Sequence, residues 1–375
     1  MAYTNSRLFH GVWSAVVPDE EGQPLTNTCL VALSTTFFGL EHRDNLTIKD
    51  GLSVYTTALR TLNQSLSDPF QSRTLDTLQS VIVMTLFELL SSDQEHGWLS
   101  HSRGLEKLFA LHGAEAVTKL PFLVLFEKSR SNMIFSALLS RERTVFSTSE
   151  WKYVPWRFFP GRIDSMKTLQ DVLADCTDLF YIRGTMQREI STTDFRMAEK
   201  FNEQACNIIT ELESWKDAWA SSPAYIHTEV PVSDTSRSGV TRQRAIPPWS
   251  SILRYKSFYH ANVIVLYHGI KILVHMAVQE TRAAMGLGMD ENTGDIIHEA
   301  GLTICRSVDY HLDAIWGSAG SLIILFPLRM ALKAVGNSDL GINAWLRETL
   351  ASIASGSAGR WNYAQHILGI TRPVQ

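Results

Sequence analysis

The sequence predicts an all-α fold, an irregular bundle or helical-pair array of about a dozen helices around one buried central helix. Three observations predict it. Apolar residues recur at spacings of three and four along most of the chain, which aligns them on one helical face. There is no alternating run of strand length and no repeat of fixed period. Hydrophobic residues make up 45% and charged residues 19%, the balance of a globular chain with a thick interior. The 375 residues suffice for one large domain or two smaller ones, and a single helical domain over 1–375 is expected.

Residues 1–24 read as irregular, punctuated by Pro18, Gly22 and Pro24. A first apolar helix is expected from Thr28 to Leu40, with Thr26 as its cap. A second begins near Lys49, carries Leu52, Tyr55, Leu59 and Leu62 inward, and ends before Asp68-Pro69.

The stretch from Arg73 to Gly113 reads as a helical hairpin. Leu75, Leu78, Ile82, Leu86 and Leu89 share one face, and Val81, Val83 and Met84 widen the stripe until most sides are apolar. The run Ser91-Ser92-Asp93-Gln94 ends that helix, because short side-chain oxygens compete with the backbone ladder. A second helix starts near Trp98 and directs Leu105, Leu108, Phe109 and Leu111 to the same core, with Gly113 as its stop. Glu88 interrupts the apolar helix. A carboxylate there needs a cation or donors, for which His101 and Arg103 are the candidates, so Glu88, His101 and Arg103 read as a structural clamp.

Lys119 to Arg141 is the next amphipathic helix, beginning around Pro121. The run Trp151-Lys152-Tyr153-Val154-Pro155-Trp156-Arg157-Phe158-Phe159-Pro160 is aromatic and broken by prolines, so an ordered connecting loop is expected. Helices follow from Ile163 to Arg183 and from Asp194 to Ala220. Residues 221–249 turn polar, with Arg237, Arg242 and Arg244, and are expected to form a flexible loop.

Ser250 to Thr281 is the most apolar long helix and the expected buried centre. His268, Lys271 and His275 lie three and four apart on one face. With Tyr259 they are the candidate ligand-binding residues, because polar groups on a buried helix find partners or line a cavity. Asp295 to Asp313, Leu322 to Val335 with Pro327, Leu340 to Ile353 and Trp361 to Leu368 complete the helices.

One combination of residues resembles a known family. An apolar helix ends in Phe87-Glu88-Leu89-Leu90; after a polar gap come Trp98, His101, Arg103-Gly104 and Leu111-His112-Gly113. Downstream stand Phe126, Arg130, Arg141 and Trp151, then Tyr255 to Met276 and Leu325-Phe326-Pro327-Leu328. This pattern resembles the fungal-specific transcription factor domain, the all-helical regulatory region that in that family follows a six-cysteine zinc cluster. The resemblance implies regulation of transcription, a nuclear location and dimer or other protein contacts. It also implies, for some members, an apolar ligand in a helical cavity.

The sequence departs from that family in its cysteines. Cys29, Cys176, Cys206 and Cys305 show no metal-ligand spacing, and the formal net charge is −4. Direct DNA binding is therefore not expected, and a protein partner or homodimer is. No signal peptide is recognisable at the start, and the apolar runs are interrupted by Glu88, His268, Lys271 and Pro327, so no membrane span is expected. That leaves the nucleus by resemblance, and otherwise the cytoplasm.

No phosphate-cradling loop, nucleophile elbow or zinc-protease motif occurs, and no metal or cofactor is expected. Tyr267 and Lys271 have the spacing of a dehydrogenase pair without the dinucleotide-binding unit. The alternative to regulation is a cofactor-free cyclase, isomerase or pericyclase of secondary metabolism, in which an apolar cavity positions a flexible substrate. Tyr259, His268, Lys271 and His275 would be its donors.

Overall fold

The computed structural model describes residues 23–91, 97–188, 195–221, 227–233, 246–288, 291–336 and 339–355. The irregular stretch expected over 1–22, the arginines 237, 242 and 244, and the helix expected from Trp361 to Leu368 lie outside the described residues. Those described form twelve α-helices, several 3₁₀ turns and one two-stranded sheet. The fold is all-α. Two compact units are present, residues 23–163 and 164–355.

In the N-terminal unit, α1 (Pro24–His42) packs on α2 (Asn45–Ser67) and α3 (Leu75–Ser91). Thr26 does not cap α1, as its sequence position suggested. It is buried in the first turn, its hydroxyl donating to the Asp76 carbonyl at 3.0 Å. The cap comes from α3 instead: the Asp76 carboxylate accepts from the Thr26 N–H at 2.8 Å and the Leu25 N–H at 3.3 Å. Orphan donors at a helix start are thus satisfied from across the fold.

α4 (Gly97–His112) folds back on α3 and leads to α5 (Leu120–Ser140). Gly113 ends α4 at φ 76°, a backbone state cheap only for glycine, and its N–H returns to the Phe109 carbonyl at 3.0 Å. The aromatic stretch expected as a loop is instead helical in short pieces: α6 (Ser149–Tyr153) and 3₁₀ turns at Val154–Trp156 and Pro160–Arg162. Pro155 and Pro160 sit in the first turn of such pieces, where a missing N–H has no intrahelical partner to lose. Trp151 and Trp156 are buried, whereas Tyr153 and Phe158 are exposed.

The C-terminal unit begins with the neighbouring helices α7 (Ser165–Arg188) and α8 (Phe195–Ala220). Here the structure corrects the reading of 221–255. Strand β1 (His227–Pro231) lies within the expected loop, and it pairs antiparallel with β2 (Ser251–Tyr255), His227 opposite Tyr255 and Pro231 opposite Ser251. The central helix α9 therefore starts at Phe258 rather than Ser250, capped by Ser257, and runs to Ala284. Ile252, Leu253 and Tyr255 have the branched and aromatic side chains that suit a half-buried strand. The partner strand that makes them one lies about twenty residues away, too far for a local pattern to register.

Around α9 are α7, α8, α10 (Glu291–His311) and α11 (Gly317–Val335); α12 (Leu340–Ser355) packs on α11. From His260 to Gln279 no residue of α9 is exposed. By length and composition alone α9 is apolar enough to cross a bilayer, contrary to the expectation that its polar residues would interrupt it; 56% of its most apolar stretch is buried inside the protein. A central core helix has the same composition, because it too must be apolar on nearly every side.

Candidate functional site

The polar cluster of the α3–α4 hairpin is built from three helices. Glu88 near the end of α3 accepts a short hydrogen bond from the Tyr55 hydroxyl of α2. His101 of α4 places Nε2 3.5 Å from that hydroxyl and 3.9 Å from Glu88 Oε1. The second carboxylate oxygen is buried without a hydrogen-bond partner. Gly97 packs directly over it, where a Cβ would come within 2.2 Å of that oxygen. The Tyr55 ring also stacks on Phe87 at 3.8 Å. Burial lowers the pKa of His101, against the opposing pull of the Glu88 charge, and burial together with the Glu88 bond raises that of Tyr55.

Arg103 does not join this cluster. It pairs with Glu142, just beyond the end of α5, because two positions along α4 from His101 lies a different side of the helix. One turn later, Glu106 is buried and accepts from the Thr144 hydroxyl at 2.8 Å and the Val145 N–H at 3.0 Å. Burial raises its pKa despite both bonds.

Phe126, Arg130 and Trp151, which carried the resemblance downstream, meet in one aromatic core. The Phe126 ring lies 5.2 Å from Phe109, 5.0 Å from Phe146 and 5.4 Å from Trp151. The fully buried Arg130 guanidinium sits 5.6 Å from the Phe126 ring and 5.3 Å from that of Trp156. Aromatic faces offer a desolvated cation a partial replacement for water.

The candidate ligand-binding residues of α9 are drawn to different neighbours. Tyr259 is 37% exposed, and its hydroxyl accepts from the Met166 N–H of α7 at 3.3 Å; burial pushes its pKa up to about 12. Lys271 donates to Glu213 of α8 at 2.9 Å and to the Tyr267 hydroxyl at 3.4 Å. Tyr259 and Lys271 are about 18 Å apart along the helix axis, so these two do not share a site. His268 is partly covered as a residue, but its Nδ1 is buried without a partner. Burial first, and the Lys271 charge second, push its pKa down to about 3. His275 is buried within the same helix.

Two partners were not found by sequence reasoning. Tyr55 was placed on the inward face of α2 but not opposite Glu88, and Glu213 was not paired with Lys271. Both are contacts between helices distant in the chain, for which a sequence carries no spacing rule. Cys29, Cys176 and Cys305 are buried and Cys206 is exposed; burial raises the Cys29 thiol to about 12. Among the described residues no three His, Cys, Asp or Glu side chains are grouped to hold a metal ion.

Comparison with known proteins places this architecture. An uncharacterized protein of Emericella nidulans is 27% identical over 138 residues, which cover 36% of this chain and 29% of that protein. The chain's match thus spans under a third of the length of that curated relative. No solved structure matches. Residues 12–273, more than half of the chain, match the fungal specific transcription factor domain, and they include the hairpin, the aromatic core and α9 as far as Leu273. The chain belongs to the fungal specific transcription factor domain family.

Proposed function

We propose that the chain is a regulatory helical module of transcription control that acts in the nucleus through a protein partner or a second copy of itself. The family match over residues 12–273 carries this reading. The charge and the cysteines support the partner. At a net charge of −4, and with no two cysteines at metal-ligand spacing, the chain has neither the cationic surplus nor the cluster with which to grip DNA alone. The enzymatic alternative calls for donors free to act on a substrate, whereas Lys271 is committed to Glu213.

The test is a tethering experiment in a fungal host. The chain, fused to an unrelated DNA-binding domain, is expected to change the output of a reporter carrying that domain's site. The purified chain alone is expected not to shift promoter DNA at physiological salt. A fusion that behaves like the bare DNA-binding domain, or a specific shift by the chain alone, overturns the partner-dependent reading.

A further inference from the structure

Three features meet at one corner of the N-terminal unit, where the end of α2 and the end of α4 come together. The first is an exposed ring. Phe70 follows Pro69 just beyond α2 and is 86% exposed. Its backbone is nonetheless held, because the Asp68 carboxylate accepts from the Phe70 N–H at 2.8 Å and from the Gln71 N–H at 2.9 Å. A fixed turn thus presents the ring to solvent. Leu66, in the last turn of α2, is exposed as well.

The second feature is the neighbouring helix end. The His112 ring places Nε2 3.0 Å from the Arg73 carbonyl, which ties the end of α4 to the turn that carries Phe70. Leu111, beside His112, is exposed. Single apolar side chains at a surface are ordinary, whereas a cluster of them marks a place where another surface docks.

The third is charge. Arg73, Lys107 and Lys119 are exposed around these side chains. Lys107 lies one helical turn before Leu111. Lys119 follows Gly113 by two tight turns, the Ala116 N–H donating to Gly113 at 3.2 Å and the Lys119 N–H to Ala116 at 3.3 Å. Among the described residues none of the three cations forms an ion pair or a side-chain hydrogen bond; Lys107 acts on the buried Glu106 through its field alone. Carboxylates close by in the sequence are engaged elsewhere: Asp68 in the turn, Asp76 at the start of α1, and Glu115 with Arg157. A chain of net charge −4 therefore leaves this corner cationic.

We propose that the corner docks an acidic amphipathic helix of a protein partner. Its apolar stripe lies on Leu66, Phe70 and Leu111, and its carboxylates meet Arg73, Lys107 and Lys119. Aromatic rings and arginines carry much of the energy at such contacts, and complementary charge sets the choice of partner. The inference rests on the partner-dependent reading above and gives that partner a chemistry.

Fluorescence anisotropy on the full chain tests it. The probe is a labelled helical peptide with leucines and phenylalanines three and four residues apart and glutamates elsewhere. The same peptide with every glutamate replaced by glutamine is the neutral control, and phosphatidylcholine–phosphatidylserine vesicles stand for an anionic membrane. The acidic peptide is expected to bind, and Phe70→Ala and Arg73→Glu are each expected to weaken it about tenfold. Lys49→Glu, about 26 Å from Leu66 along α2, is expected to leave binding unchanged. No binding by the acidic peptide overturns the proposal. So does equal binding of the glutamine peptide, equal weakening by Lys49→Glu, or binding untouched by both corner variants. Binding to the vesicles in preference to the peptide, lost in Phe70→Ala, assigns the corner to a membrane and overturns it too. A chain that ignores the peptide yet changes the reporter when tethered loses this corner and keeps the regulatory reading. One that binds the peptide and is silent when tethered does the reverse. All the substituted side chains are exposed, so the variants remain folded for the comparison.

Discussion

The two units hold their buried charges differently. In the N-terminal unit the buried groups include ionisable side chains of both signs, Glu106 and Arg130, with the half-buried Glu88 and His101 near them in the same unit. In the C-terminal unit Lys167, Asp175 and Asp309 are buried too, but Lys167 is paired within its own helix, with Asp171 at 2.5 Å, and much of the remaining buried polarity is neutral rings and hydroxyls. Tyr255 meets Ser307 at 2.6 Å, and His311 donates through Nδ1 to the Ser307 carbonyl at 2.9 Å. The Asn262 side-chain amide faces its Nε2 at 3.2 Å. Other ion pairs of that unit lie nearer the surface, Lys271–Glu213 and Arg183–Glu280 among them, with carboxylates about half exposed. In the first unit the buried charges are met from other elements, Glu106 by Thr144 and Val145 and Arg130 by the Trp156 ring, so these contacts tie distant segments together. The second relies more on apolar burial around α9.

The comparison can be broken most forcefully at the aromatic core. Phe126→Ala removes a ring that touches Phe109, Phe146 and Trp151 and lies under Arg130. A loss of about 3–5 kcal/mol is expected, read as a shifted urea midpoint. Hydrogen exchange should show the loss in residues 23–163. Equal loosening of both units would mean that they do not differ as described.

Acid sharpens the contrast. Burial pushes His311 down to about 4 and His268 to about 3, from an ordinary 6.5. An unfolded histidine takes up its proton as the pH falls through 6.5, but these folded ones do not. Their contribution is therefore complete above 6.5 and is lost as the pH falls toward 4, by up to about 1.4 kcal/mol per pH unit for each ring. His101, also lowered, acts in the same direction in the first unit. Glu106 opposes it: its raised pKa favours the protonated folded form, so its contribution is present at low pH and lost as the pH rises. Hydrogen exchange at pH 7 and 5, corrected for intrinsic rates, should show the C-terminal unit losing more protection. A greater loss in residues 23–163 would reverse the assignment.

A smaller effect is expected at the hairpin. Tyr55→Phe deletes the donor to Glu88 and leaves that carboxylate poorly satisfied, at a cost of about 1–3 kcal/mol. Glu88→Gln in the same background should recover part of it, since an amide costs less to bury than a charge. Strict additivity of the two changes would show that the groups do not interact. The least is expected of Lys271→Met. Its carboxylate partner is 44% exposed, so the change should stay below about 1 kcal/mol in thermal or urea unfolding; a larger loss would place a strong polar tie in the C-terminal unit as well.

The sequence by itself determined the helices. Apolar spacing located α3, α4, α5, α7 and α8 to within a few residues, and Gly113 marked a stop because a left-handed backbone is cheap without a Cβ. It also carried the family, through the hairpin pattern from Phe87 to Gly113. Those are local properties, written in neighbours three, four or seven residues apart.

Tertiary structure alone decided what those helices exchange. Asp76 caps α1, Tyr55 meets Glu88, Glu213 takes Lys271, and β1 turns Ser251–Tyr255 from expected helix into strand. Each contact joins residues twenty or more positions apart, where periodicity conveys nothing and only the packed chain brings donor to acceptor.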